Sequence, residues 1–158
     1  MLNDGAEFAW EYVDPALLLD RVLHECPRLT EVYRQVADSM HPGDLWHMVV
    51  AFDEYVPGNK LKLDNGKKVM NLAYNFINLG SEVMACENSW MIAISVRHSI
   101  ITKCKGGWPH MLCVFLKRLL QQFCVEGVPL VLGGEPYKLR CKMTDLLSGG
   151  DGLRQALA

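Results

Sequence analysis

The sequence has no apolar run long enough to span a bilayer. Its longest stretches, such as Met111 to Leu116, fall far short of the roughly 18 residues that a membrane helix needs, which argues against a spanning protein. The opening Met1-Leu2-Asn3-Asp4 lacks the basic then apolar pattern of a secretory signal, so an intracellular protein, nuclear or cytoplasmic and not secreted, is expected. The six cysteines contain no C-x-x-C pair and the five histidines no H-E-x-x-H, so neither set points to a zinc site. Reduced thiols are the default in such a setting. Cys113 and Cys124 fall in an apolar helical stretch and are expected to act as small buried hydrophobes. A phosphate loop of the form G-x-x-x-x-G-K-[ST] is missing, and neither Ser95 nor Ser148 sits in a nucleophile-elbow context, which disfavours Ser/His hydrolysis.

What is present is a chain of 158 residues, 50% hydrophobic and 22% charged, enough to bury one sizeable core. Its net charge of −2 is unevenly placed: nine acids against Arg21, Arg28 and Arg34 leave the first 44 residues near −6 and the remainder near +4. A modestly basic body suits a polyanion but does not by itself require one.

The N-terminal quarter reads as helical. Asp14 before Pro15 is an N-cap followed by proline at the first helical position, where its missing N–H costs nothing. From Pro27, the apolar residues Leu29, Val32, Tyr33, Val36 and Met40 recur at helical spacing up to His41-Pro42-Gly43. Residues 1–43 are therefore expected to form a helical lead-in to a main domain at 44–158.

After Gly43 the period becomes strand-like. Leu45 to Phe52 is apolar at nearly every position, which predicts a central strand covered on both faces, with Asp53 and Glu54 at its end. Two turn signals follow, Pro57-Gly58 and Asn65-Gly66. Lys68 to Leu79 alternates, with Met70, Leu72, Tyr74 and Phe76 on one face and Asn71, Ala73 and Asn75 on the other, as in a half-buried strand. Trp90, Ile92, Ile94 and Val96 alternate with Met91, Ala93, Ser95 and Arg97, which predicts a third half-buried strand with the first set on its apolar face. Beyond Gly106-Gly107 an amphipathic helix presents Leu112, Phe115, Leu116, Leu119, Leu120 and Phe123 on one face and is closed by Gly127. Val128–Leu132 and Tyr137–Met143 are strand candidates around Gly133-Gly134, and a last helix is expected from Asp151.

This order predicts a mixed α/β (α+β) sheet of the β-β-β-α-β type, in which the helix returns the chain beside the first strand. That is the ribonuclease-H-like arrangement. Its chemistry places carboxylates at the end of the first strand and on its neighbour, where they hold divalent ions for an in-line phosphoryl displacement. Magnesium suits such oxygen ligands. Asp53 occupies the first of these places.

Asp53 to Lys60, Asn71 to Gly80, and Gly133-Gly134-Glu135 through Gly149-Gly150-Asp151-Gly152-Leu153-Arg154 together resemble an uncharacterised family of protist mobile-element sequences. That family is itself similar to the catalytic core of DDE-type transposases. The resemblance covers about residues 44–158 and implies a magnesium-dependent nuclease and strand transferase acting on DNA. It makes Asp53 the first catalytic acid and metal ligand, and Asp151 or Asp145 the second. Members of the family often carry an acid where this chain has Gly149. A third acid usually follows a further insertion, so a C-terminally truncated domain is expected.

A second reading remains beside this one. Asp53 can be a charged strand end, Asp151 an N-cap and Asp145 a turn residue, in a non-catalytic α+β binding or interaction module. Such a module would meet a protein partner at an exposed edge strand or through the apolar Leu146-Leu147 segment.

Overall fold

A computed structural model describes residues 2–7, 9, 12–55 and 67–148. Its first helix, α1 (Pro15–Glu25), starts where the sequence predicts. Asp14 Oδ1 accepts the Ala16 and Leu17 N–H groups at 3.0 and 3.2 Å. Its Oδ2 accepts from Gln122 Nε2 at 2.7 Å and faces Arg118 at 3.6 Å, so the cap also ties α1 to the far end of the longest helix among the described residues.

Burial resists ionisation of Asp14, but the bonds from Gln122, Leu17 and Ala16 and the Arg118 charge outweigh it and hold the carboxyl below its ordinary value. A depressed folded-state pKa contributes stability that is complete above the unfolded value and is lost as pH falls through the folded one. Asp14→Ala is therefore expected to cost about 1–2 kcal/mol at neutral pH. In urea melts near pH 3 the cost should shrink; the same loss at both pH values would contradict this account.

Helix α2 (Pro27–Ser39) follows directly and buries Tyr33. The chain then runs through β1 (Trp46–Tyr55), β2 (Val69–Phe76), a short α3 (Ser81–Met84), β3 (Met91–Arg97) and a short α4 (His98–Ile101). Helix α5 (Gly107–Leu120) continues as a wider π-type turn, Gln121–Glu126, before β4 (Val128–Leu132), β5 (Glu135–Leu139) and β6 (Cys141–Ser148). The helix closes at Gly127, whose φ of 76° with ψ of 140° suits glycine alone.

The main sheet has the order β3-β2-β1-β6. The β1–β2 and β2–β3 pairs are antiparallel, and β6 lies parallel to β1 on its other side. The fold is thus a mixed α+β architecture around a four-stranded mixed sheet, with β1 central as its apolar sequence predicts. Trp46, Met48 and Val50 face the helical side, where they meet Leu19, Tyr33 and Phe123 in the main core. Val49 and Ala51 face the other side, covered by Met84 and Trp90.

Several sequence expectations are corrected. Val128–Leu132 does not lie beside β1; it pairs with β5 in a separate two-stranded ribbon. The cause is Gly133-Gly134, with φ of 62° and 90°, which closes a tight two-residue hairpin between Leu132 and Glu135. Tyr137–Met143 is not one strand but two, divided at Arg140 where the chain passes from the ribbon into the main sheet. The β2 pattern ends at Phe76, because Ile77–Leu79 turns as a 3-10 segment.

Ile92 is 55% exposed rather than buried, while Ala93 and Ile94 both join the core. A register shift in the β2–β3 pair sets Ile94 against Leu72 but Ile92 against Ala73, and this bulge reverses the strand's phase. Cys113 is exposed and Cys124 half-buried, so α5 turns Cys113 outward. The Pro57-Gly58 and Asn65-Gly66 turns and the helix expected from Asp151 lie outside the described residues.

Candidate functional site

On the side of the sheet away from the main core, β1 presents Val49, Ala51 and then Asp53. Asp53 is half-buried, and its Oδ1 accepts the Glu54 backbone N–H at 2.8 Å. In register it stands opposite Asn71, which in turn stands opposite Ser95. Cross-strand partners share a face, so an Asp53–Asn71–Ser95 row of polar side chains crosses three strands beyond the apolar patch. Glu54 takes the opposite face and forms an ion pair with Lys68 at 2.5 Å.

Asp145 sits in β6 beside Val49, displaced there by a register shift between Met48 and Val49. Four residue steps at about 3.3 Å each place it about 13 Å along the strands from Asp53. The two acids share a face of the sheet but are not brought together. Asp145 instead rims an apolar cleft of 380 Å³ floored by Val49, Met84 and Leu147. The last pair of the parallel ladder is Phe52 with Ser148, one residue short of Asp53. Asp151 and Gly149 lie outside the described residues.

Two divalent ions in a phosphoryl-transfer site stand about 3.5–4 Å apart and need bridging and flanking carboxylates. Among the described residues Asp53 offers one carboxylate at this end of the sheet, since Glu54 faces away to Lys68 and Asp145 lies too far along β6. Also among the described residues, no three His, Cys, Asp or Glu side chains cluster as metal ligands. The described residues alone therefore do not fit a two-metal centre. No helix among them is long and apolar enough to cross a membrane.

The cover over Val49 and Ala51 is fixed by a polar hub. Asn75 is fully buried; its amide donates to Ser89 Oγ at 2.9 Å and its Oδ1 accepts the Phe76 N–H at 2.8 Å. The Ser89 hydroxyl reaches the Val83 and Cys86 carbonyls, and Trp90 Nε1 donates to Met84 O at 3.0 Å. Asn75→Ala strands the Phe76 N–H and removes the Ser89 partner, for an expected loss of about 2–3 kcal/mol. Amide exchange at residues 81–90 should accelerate in the variant, and protection equal to wild type there would refute the hub.

The alternation in β2 already puts Asn71 on the polar face, but nothing in the sequence pairs it with both Asp53 and Ser95. That pairing is a matter of register. No family model, curated protein or solved structure matches this chain.

Proposed function

We propose that the chain is a transposase-derived, ribonuclease-H-like nucleic-acid-processing domain whose partner is DNA. The observation that carries this reading is the strand order β3-β2-β1-β6, antiparallel through the first three strands, with β6 parallel to β1 after the long helix. It sets Asp53 near the C-terminal end of the central strand, where this class of fold keeps its first acid. The β4–β5 ribbon is an addition between helix and strand that leaves the sheet order intact. A magnesium centre on this reading requires Asp151 beside Asp53, because Asp145 is held at the height of Val49.

The test is cleavage of end-labelled single-stranded and duplex DNA with magnesium or with a chelator. Magnesium-dependent products support the reading, and a chain that neither cleaves nor binds DNA overturns it. The placement of Asp145 favours a second reading, a non-catalytic binding module using the same sheet. Its β6 edge also exposes Met143 and Leu146. DNA binding without cleavage under any metal condition would select it.

A further inference from the structure

We infer that the groove between the α2–β1 loop and the β5–β6 run is a track for a nucleic-acid phosphate backbone, at the opposite end of β1 from Asp53. Two clefts of 430 and 460 Å³ share Met40, Gly43, Asp44 and Leu45, so they adjoin along the α2–β1 loop and together make the two parts of this groove. Lys138 and Arg140 line its first part, and His47, Asn78 and Lys142 its second.

The backbone explains why the cations align. From Lys138 to Lys142 the chain is extended, and Leu139 and Cys141 are buried while Lys138, Arg140 and Lys142 are exposed. Alternate residues of an extended chain repeat every 6–7 Å or about that, so one side of the run carries three positive charges in a row. The stems of Lys138 and Arg140 lie on Gly127: a Cβ there would meet Lys138 Cε at 2.8 Å and Arg140 Cγ at 2.9 Å. Both side chains are thus laid along a packed surface rather than waving from it.

None of the three cations has an ion-pair partner among the described residues. Arg21, Arg34, Lys68 and Arg118 all have one. The acid lining the groove, Asp44, has its Oδ2 accepting the His41 N–H at 2.9 Å. Three cations against the single Asp44 carboxylate leave the groove lining net positive on a chain whose net charge is −2. A linear row in an open groove suits successive phosphates of one strand better than a single small anion. The choice of nucleic acid as the polyanion rests on the functional reading above; the charge geometry does not.

Each phosphate neutralised releases condensed counterions, so binding by three cations falls with salt at a slope of about −2.7 for duplex and about −2.1 for single strands. For duplex this is about a 40-fold loss between 50 and 200 mM salt. The experiment is fluorescence anisotropy of a labelled mixed-sequence DNA with the full chain across that range. The variant Lys138→Gln/Arg140→Gln/Lys142→Gln should lose about tenfold or more at low salt and bring the slope towards zero. A control removing Arg28 and Lys117 should bind as wild type, and circular dichroism melts check that every variant folds.

If the triple variant binds DNA with unchanged affinity and slope, the groove inference falls while the functional reading stands. If wild type cleaves nothing yet binds through these residues, the inference stands and the catalytic reading falls. Should wild type ignore DNA but bind vesicles containing phosphatidylserine through the same three residues, the nucleic-acid assignment is overturned in favour of a lipid surface. Wild type that binds neither overturns both.

Discussion

Phe76→Ala is expected to destabilise the protein by about 3–5 kcal/mol in chemical denaturation. Phe76 is fully buried at the end of β2, and four other rings surround it. Tyr33, Tyr74 and Phe123 have their centroids 6.1 Å away and Trp46 5.5 Å. Tyr33, Trp46 and Tyr74 meet it nearly edge-on, the arrangement in which ring quadrupoles attract and each pair adds about 0.5–1.5 kcal/mol beyond area burial. These rings come from α2, β1, β2 and the π-type turn, so the void left by alanine touches every layer of the core. Against a usual total stability of about 5–15 kcal/mol, such a loss is large. Phe76→Leu, which keeps most of the volume, should cost markedly less. A loss below about 2 kcal/mol for alanine would mean that the neighbouring rings collapse into the space.

On the proposed reading, in which Asp53 holds a metal together with Asp151, Asp53→Asn is expected to lower magnesium-dependent DNA cleavage by at least about 100-fold, because losing even an outer-shell partner of a metal ligand costs about 10–100-fold. Asparagine keeps the shape and the oxygen that accepts the Glu54 N–H, so the fold and the groove's affinity for DNA should be unchanged. Asp145→Asn should leave the rate as it is, since its register position is Val49. Asp151→Asn should match Asp53→Asn if the two acids act together. Equal rates for wild type and Asp53→Asn in a gel-based cleavage assay would remove Asp53 from the chemistry.

Local signals in the sequence carried well into the structure. The Asp14-Pro15 start, the stripe on α5 and the closure at Gly127 are each written within a few neighbouring residues, and each is found. The apolar run from Leu45 to Phe52 announces a strand covered on both faces, and β1 (Trp46–Tyr55) is that strand. Pairing was not legible. Alternation alone does not reveal that Ala93 is taken into a bulge, and so it places Ile92 on the buried face when Ile92 is exposed. Gly133-Gly134 signalled a turn, but not that the hairpin it makes would draw β4 and β5 out of the main sheet. The candidate site suffers most from this, because one register shift before Val49 decides where Asp145 stands.

The strand beside β1 is also the last one described in the chain, and this imposes an order in time. A ribosome adding about 5–20 residues per second delivers β1, β2 and β3 first and reaches Cys141 roughly 4–17 s after Tyr55. Throughout that interval one long side of the most apolar strand in the sheet has no hydrogen-bonding neighbour, the condition under which nascent chains pair with one another. The yield of this protein in a cell therefore depends on how that side is shielded until residues 141–148 arrive, and slow decoding between β3 and β6 would lengthen the exposure.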